Sequence, residues 1–582
     1  MQVDQIAIVG CAVRLPGVDS LTSMWQTMVD LVDVSSDTPR DRYDAQRLHR
    51  PHSTPGGVIA TRGYYIAGVD EFDAAFFGID PKDADLLDPQ QRIVLQLVWM
   101  ALEDAGIPPA TLRGTTTNVV IGSAHTDYWD NIIRRGLHTV PGEAVMNVRS
   151  MLAGRISYHY DLRGASITLD TACSSSLVGV QLAKQALLSG EADTCIVGGV
   201  NLKLNEYQDV VLSQIPVLSP EGKCRFADAD ADGFVAADGA GVLILRRSRD
   251  AARDGNRVRA IIRSAIVTND GARGGSATAP AADAHVELLT AAMNSADVVA
   301  NDIDFIEAHG PGAPMIDRME LEALDAVFGR DHHRDRPLFV SSGKSVFGHS
   351  EAAAGVTSLT RAILSLEKRT ALPSNHIRRL NPAIDWSTSN LHIPREPTAL
   401  EGSGRLIAGV SAQGISSVNA HVLLETPPPP ARRASDVRTP LCLAVSGPTR
   451  ISLERLVTAY RRFLSETPDA ATLVADFAWT ALVGREVFHH RVVFVGDTLD
   501  QIVLQMQSWT ADPRSECVVA THADSDLADT IRAARAFIAN GERQPLASGI
   551  ARGNIISIPG YQWSPTKHWL PNSATQTAGL VR

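Results

Sequence analysis

Between Ala165 and Gly190 the chain runs from a β-prone stretch straight into a helical pattern, with a cysteine at the turn. Ala165-Ser166-Ile167-Thr168-Leu169 reads as a strand. After Asp170-Thr171-Ala172-Cys173-Ser174-Ser175-Ser176, the apolar residues Leu177, Val180, Ala183 and Leu187 recur at helical spacing, and Gly190 offers a stop. A strand that feeds directly into a helix is a building block of α/β folds. A thiol at that junction faces unpaired backbone N–H groups and the positive end of the helix dipole, both of which favour thiolate, the nucleophilic form. The alternative is a small buried core cysteine.

Two later segments carry groups that a thiolate chemistry needs. Asp304-Phe305-Ile306-Glu307-Ala308-His309-Gly310 is a strand ending in His-Gly. Residues 339–355 read as a strand, a loop containing Lys344 and His349, and the start of an Ala-rich helix. Each places a histidine at the end of a strand, where the active groups of α/β sheets collect. Taken singly, each histidine reads as a satisfied structural residue and Lys344 as a surface charge; the three elements together are far more specific.

Through these segments the chain resembles a ketosynthase (β-ketoacyl synthase) of the modular polyketide synthases, in the thiolase superfamily. The resemblance runs from about residue 5 to 425. It includes Ile6-Ala7-Ile8-Val9-Gly10, Arg14-Leu15-Pro16-Gly17, Phe72-Asp73-Ala74-Ala75-Phe76-Phe77-Gly78, Leu87-Asp88-Pro89-Gln90-Gln91-Arg92, Ala153-Gly154-Arg155-Ile156-Ser157-Tyr158, Leu218-Ser219-Pro220 and Asn381-Pro382. It implies a duplicated, thiolase-like αβαβα layered fold.

It also implies a thioester relay. Cys173 would accept an acyl chain from the phosphopantetheine arm of a carrier protein, giving an acyl-enzyme. His309 and His349 would hold the carbonyl of a second thioester and stabilise enolate-like charge. Lys344, five residues before His349, would orient that ring. Backbone N–H groups near Cys173 and in the late Gly-rich loop would form an oxyanion hole.

Departures from the family pattern are equally informative. The family's His-Gly-Thr-Gly-Thr is here His309-Gly310-Pro311-Gly312-Ala313, so both hydroxyls that line the pantetheine and extender pocket are missing. The family's Leu-Gly-Asp-Pro-Ile-Glu is Met315-Ile316-Asp317-Arg318-Met319-Glu320, keeping the two acids. Ser-Phe-Gly-x-Ser-Gly-Thr-Asn-Ala-His becomes Ala412-Gln413-Gly414-Ile415-Ser416-Ser417-Val418-Asn419-Ala420-His421, which puts Gln413 where relatives carry a gating Phe. A dry pocket favours loss of CO2 from a carboxylate, whereas a Gln offers both donors and an acceptor and would hold water or a polar substrate atom. Near Phe234, Ala236-Ala237-Asp238-Gly239 replaces Arg-Gly-Glu-Gly. The pocket candidates are therefore Phe234, Pro311, Ala313, Gln413, Gly414 and Asn419.

Three functional readings follow. The first is an atypical ketosynthase that loads an acyl chain on Cys173 and forms a C–C bond without malonyl decarboxylation. Its concrete form is an intramolecular aldol step with lactone-forming release, for which a salinosporamide-type cyclising ketosynthase, making a fused γ-lactam-β-lactone, is the nearest precedent. The second is a conventional decarboxylative Claisen condensation. The third is a non-catalytic module that docks acylated carrier protein.

Composition narrows the partners. A formal charge of −11 and the absence of a basic stripe with interleaved aromatics argue against nucleic acid. The six cysteines show no paired metal-ligand spacing, so no metal is expected, and Cys11, Cys195, Cys224, Cys442 and Cys517 read as core or incidental thiols. No signal peptide and no apolar run long enough for a bilayer are found, so the expected place is the cytoplasm.

The chain divides near residue 425, where Glu425-Thr426-Pro427-Pro428-Pro429-Pro430 gives way to Ala431-Arg432-Arg433-Ala434-Ser435. The expected parts are a ketosynthase domain (1–425), a Pro/Arg-rich connector (426–440) and a small α/β linker domain of the ketosynthase-to-acyltransferase type (441–550). A strap returning to the ketosynthase (551–571), anchored by Trp563 and Trp569, and a loose tail (572–582) follow. No Gly-x-Ser-x-Gly acyltransferase motif and no Gly-x-Asp-Ser-Leu carrier site are seen, so the expectation is a stand-alone enzyme supplied in trans by an acyl carrier protein, with no bound cofactor. A homodimer is expected from the family fold.

Overall fold

A computed structural model describes residues 4–139, 146–276, 278–329, 336–401, 404–428, 440–509, 518–520, 528–550 and 552–571. Cys517, most of the connector and the tail beyond Pro571 lie outside the described residues.

The dominant element is an eleven-stranded sheet. In chain order its strands are β1 (Ile6–Arg14), β2 (Thr117–Gly122), β3 (Ser166–Leu169), β4 (Thr194–Asn201), β5 (Gly239–Arg247), β6 (Ala260–Asn269), β7 (Phe305–Glu307), β8 (Leu338–Ser341), β9 (Leu391–His392), β10 (Ile407–Gln413) and β11 (Val418–Glu425). Their spatial order is β9-β8-β7-β10-β11-β6-β1-β5-β4-β2-β3. The order encodes a duplication. In the first half, β1 is antiparallel to β5, β5 antiparallel to β4, and β4, β2 and β3 run parallel. In the second half, β6, β11, β10, β7 and β8 repeat that pattern. The halves join where Ile6, Ala7 and Ile8 pair antiparallel with Ile262, Ile261 and Ala260.

Helices sort into layers around this sheet. Helix α1 (Pro89–Ala105) covers β1, β4 and β5 from outside. Helix α2 (Ser175–Ser189) is followed by α3 (Ala282–Ala296) and α4 (Pro314–Leu324), and α3 covers β6 and β11 on the opposite outer face. Helix α5 (Ala354–Glu367) packs on α2, and both touch strands of both halves, so they form the middle layer. Each layer boundary has its own apolar core, with Val94 and Val98 in one, Leu177, Val180, Leu359 and Ile363 in the middle one, and Leu289, Ile306 and Leu321 in the third. Continuously buried strands such as β4 and β7 are what a sheet covered on both faces produces. At the α2–α5 contact a Cβ on Gly355 would stand 2.7 Å from Ser176 Oγ and 2.8 Å from Leu177 Cγ. The Val356 N–H donates to the same Oγ at 3.0 Å, so only glycine permits this approach.

Residues 440–550 hold a three-stranded sheet, β12 (Leu441–Gly447), β13 (His490–Gly496) and β14 (Val518–Ala520), in the order given. It is covered by α6 (Arg450–Glu466), α7 (Ala470–Val483), α8 (Leu499–Ser508) and α9 (Ala528–Asn540). From Arg552 the chain is extended and returns to the first half, where Thr566 and Lys567 pair with Phe72 and Glu71. Trp563 and Trp569 are only half-buried there. The buried anchors are Tyr561, His568 and Leu570. Tyr561 lies 4.5 Å from the Phe76 ring, and Arg92 donates to the His568 carbonyl at 2.9 Å. The expected tryptophans also pack on the core, Trp563 against Phe76 and Phe77 and Trp569 against Tyr128, while a tyrosine that the sequence reading did not single out fills the hollow that Phe76 and Trp99 line. No helix among the described residues is long and apolar enough to cross a membrane.

Candidate active site

β3 runs into residues 170–174 and then into α2, which puts Cys173 on a sharp elbow. Ala172 takes a left-handed φ of +55°. The turn is tied by Asp170 Oδ1 accepting from the Ala172 N–H at 2.9 Å and by Ser175 Oγ accepting from the Thr171 N–H at 2.9 Å. The Cys173 thiol is half-buried and opens on a cavity of about 320 Å³. Burial pushes the thiol up to about 12, aided by the charge of Glu351, against the opposing pull of Lys344 and of the backbone N–H groups of Ile415 and Cys173. The resting group is therefore a thiol. Desolvation thus opposes the elbow's backbone N–H groups, which act in the expected direction, toward thiolate.

In the second half, β7 and β8 deliver the histidines. After β7 the N–H groups of His309 and Gly310 each donate to Glu320, both at 2.8 Å, and the Gly312 N–H donates to Asp317 at 2.9 Å. The two acids of α4 thus fasten the loop from behind. After β8 a short turn holds Lys344, Gly348 adopts φ +72°, and the His349 N–H donates to the Val235 carbonyl at 2.8 Å. The rings of His309 and His349 meet edge to face, centroids 5.3 Å apart, and Phe234 flanks His349 at 5.1 Å. Burial, reinforced by Lys344, holds both imidazoles well below their ordinary range, so both are neutral. The Glu351 N–H donates to His349 Nδ1 at 3.2 Å, which leaves the ring proton on Nε2. Lys344 is buried, its ammonium lowered by burial and raised in turn by Glu307 and Glu320.

The cavity brings together Cys173, His309, His349, Phe234, Pro311, Gln413, Gly414 and Asn419. Lys344 and Ala313 are not on its wall; Ala313 is buried at the start of α4. Gln413 ends β10 at 7% exposure, and neither its amide oxygen nor its nitrogen has a hydrogen-bond partner among the described residues. Asn419 instead is committed, donating to Asp270 at 2.6 Å.

The family models for the N-terminal and C-terminal domains of β-ketoacyl synthase match residues 3–251 and 259–378, and a model for the CurL-like polyketide synthase C-terminal region matches residues 441–506. An oxazolomycin ketosynthase domain from Streptomyces albus is 30% identical, superposes with a TM-score of 0.85, and is matched over 98% of this chain and 99% of its own. The chain belongs to the ketosynthases of modular polyketide synthases.

The ketosynthase from module 6 of the bacillaene synthase of Bacillus subtilis is 28% identical, with a TM-score of 0.84 and coverage of 98% of this chain and 100% of its own. Among curated proteins, a phenolphthiocerol/phthiocerol polyketide synthase of Mycobacterium bovis is 39% identical over 82% of this chain and 26% of its own length. The erythronolide synthase EryA2 of Saccharopolyspora erythraea is 36% identical over 85% and 14%. This ketosynthase therefore spans about a quarter or less of those relatives. Members of the family transfer acyl groups through a cysteine thioester and form carbon–carbon bonds.

One ketosynthase residue on the cavity wall and one behind it escaped the sequence reading. Glu351, two residues beyond His349, lies on the wall, and His125 stands behind it at 2.7 Å. A signal for His125 exists in hindsight, since it follows the end of β2 much as His309 follows the end of β7. Asp238, in the drifted segment near Phe234, is not on the wall; it is fully buried and paired with Arg42 at 3.2 Å.

Proposed function

We propose that this ketosynthase takes an acyl chain from the phosphopantetheine arm of an acyl carrier protein onto Cys173 and forms a C–C bond within that chain, without decarboxylating a malonyl unit. The observation that carries the reading is Gln413, a buried amide with both polar ends unpartnered on the wall shared with Cys173, His309 and His349. A buried unpaired amide costs stability, and the cost is recovered when a bound polar group pairs with it. An apolar gate at this place would keep the cavity dry for CO2 loss; Gln413 does the reverse.

In this reading Cys173 Sγ attacks the incoming thioester, and the N–H groups of Cys173 and Ile415 receive the carbonyl oxygen. The pantetheine thiol leaves with the cysteine proton. The Nε2–H of His349 then donates to the carbonyl oxygen as an α-carbon of the loaded chain loses its proton to neutral His309. The enolate carbon attacks a carbonyl of the same chain. The resulting alkoxide closes on the thioester, which releases a lactone and returns the electron pair to Cys173, reprotonated by His309. Buried Lys344 favours the neutral form of both rings.

Supply of the acyl group in trans belongs to the same proposal, as does pairing with a second copy. Support for the latter is edge strand β3, whose Ile167 is 41% exposed beside the nucleophile's elbow. The test is intact-protein mass spectrometry with an acyl-carrier thioester and, separately, a malonyl-carrier thioester. Acylation at Cys173 with no CO2 loss, and release of a product equal in mass to the loaded chain less its carrier thiol, is expected. CO2 release would return the enzyme to ordinary elongation. No acylation would leave a carrier-docking module.

A further inference from the structure

The resting Cys173 is a thiol in a desolvated wall, so loading requires a group that takes its proton and later gives it to the departing pantetheine sulfur. His349 is a poor candidate for that exchange. His349 Nδ1 is occupied by the Glu351 N–H and its Nε2 bears the proton. Glu351 is placed differently. It adopts a left-handed φ of +44°, which a non-glycine residue holds only when its surroundings impose it, and its side chain is 12% exposed. Oε2 is engaged by His125 Nε2 at 2.7 Å, while Oε1 is buried without a partner among the described residues, in a side chain that lines the same cavity as Cys173.

His125 is itself held from two sides, by Glu351 at Nε2 and by the Gln208 side-chain amide at Nδ1. Gln208 lies on the short helix Tyr207–Leu212, whose Leu212 end also walls the cavity. The charged groups facing the ring from the surrounding elements are Glu351, Asp127 on the helix that follows it, and Asp170 at the Cys173 elbow, the last paired with Arg149 at 3.1 Å. Burial disfavours the charged ring, but Glu351 first and the two aspartates after it outweigh burial and raise the imidazole above its ordinary value. His309 and His349 are instead lowered by burial and by the neighbouring Lys344.

We propose that Glu351 is the proton carrier of the loading step and that His125 is the residue that positions it. As Sγ bonds to the thioester carbonyl carbon, the thiol proton passes to Glu351 Oε1. As the carbon–sulfur bond to pantetheine breaks, the same proton passes from Oε1 to the leaving sulfur. Nothing is oxidised or reduced, and Glu351 ends as it began. The Nε2–H of His125 keeps Oε2 engaged and the carboxylate turned toward the cavity. This rests on Cys173 being the acylated residue and is independent of which bond forms afterwards.

The experiment is the rate of Cys173 acylation by a hexanoyl-pantetheine thioester, followed by intact mass from pH 5 to 9.5, in the wild-type enzyme, His125→Gln and Glu351→Gln. The wild-type profile is expected to carry an inflection above the ordinary imidazole value of 6.5, where His125 loses its charge as pH rises. Glu351→Gln should lose about a hundredfold in rate, the usual range for a removed general acid–base. His125→Gln should fall at least about tenfold, the usual loss when a group that orients a functional side chain is removed, and should lose the inflection. Wild-type rate in His125→Gln, or a slower rate that keeps the inflection, overturns the proposal, because a purely structural tie would not remove a titration. Should His125→Gln melt early, Gln208→Leu is read the same way: it should displace the inflection, and an unmoved one overturns the proposal. Absence of acylation in the wild-type enzyme would instead overturn the Cys173 reading itself.

Discussion

Arg259 holds Asp104 through two hydrogen bonds, Nε to Oδ2 at 2.6 Å and Nη2 to Oδ1 at 2.7 Å. Asp104 lies in the last turn of helix α1 of the first half, and Arg259 directly precedes strand β6 of the second. The same guanidinium reaches Glu367 at the end of α5 at 2.8 Å and Ser557 of the returning strap at 3.2 Å. One buried cation therefore fastens both halves of the duplication and the C-terminal return.

Breaking that clamp should be costly in proportion to its burial. Asp104→Asn leaves Arg259, only 2% exposed, without its bidentate partner, and should destabilise the protein by about 3–5 kcal/mol. Burial alone would raise the Asp104 carboxyl; Arg259 overrides it and holds the group below its ordinary 3.8. A depressed carboxyl contributes stability above the unfolded value and loses it as pH falls through the folded one. Thermal melting of wild type and variant should thus differ by a constant amount from pH 5 to 8 and converge only below 3.8. Convergence already at pH 6 would show that the clamp does not set this term.

The Cys173 thiol, pushed up to about 12, should alkylate slowly at neutral pH. Its rate with iodoacetamide should keep climbing through pH 9.5, because only the thiolate reacts. Cys173→Ala should remove this modification and all acyl loading. A plateau below pH 8, read by peptide mass mapping, would mean that the elbow amides and Lys344 outweigh burial after all.

Gln413→Phe tests the wetness of the cavity. The variant should lose turnover of the acyl-loaded enzyme and gain CO2 release from malonyl-carrier thioester, measured with a carboxyl-labelled malonyl group. Wild-type CO2 release equal to that of the variant would remove Gln413 from any account of the missing decarboxylation.

Tyr561→Ala empties the hollow beside Phe76 and Trp99, and the loss should be about 3–5 kcal/mol. Trp563→Ala should cost less, since that indole is half-buried. Chemical denaturation of the two variants ranks them directly; the opposite ranking would make the tryptophan the stronger anchor.

What the sequence made legible was local. The strand–elbow–helix at Cys173 is written in Ile167, Leu169, Leu177 and Val180, and each histidine stands next to a recognisable apolar strand. Contacts between distant segments were not legible. His125 and Glu351 are 226 positions apart, and nothing in either neighbourhood specifies that their side chains meet. The balance at the thiol was hidden for a related reason: a helix N-terminus can be read from spacing, whereas the depth of desolvation depends on a cavity whose wall is shared by distant residues such as Leu212, Ile215 and Pro216. Likewise, the strap's aromatic residues are visible in the chain, but which of them is swallowed depends on the shape of the surface that receives them.

Gly355 gives the α2–α5 contact a further meaning. The nucleophile sits on the elbow that leads into one of these helices and His349 on the loop that leads into the other, so the gap between sulfur and imidazole is machined by the thickness of a single backbone contact. A methyl group there would act as a shim, wedging the two reacting parts apart while leaving every reacting atom intact. Displacements of about 1 Å are enough to cost about a hundredfold in such sites, so the tolerance of this enzyme is set by a residue that has no chemistry of its own.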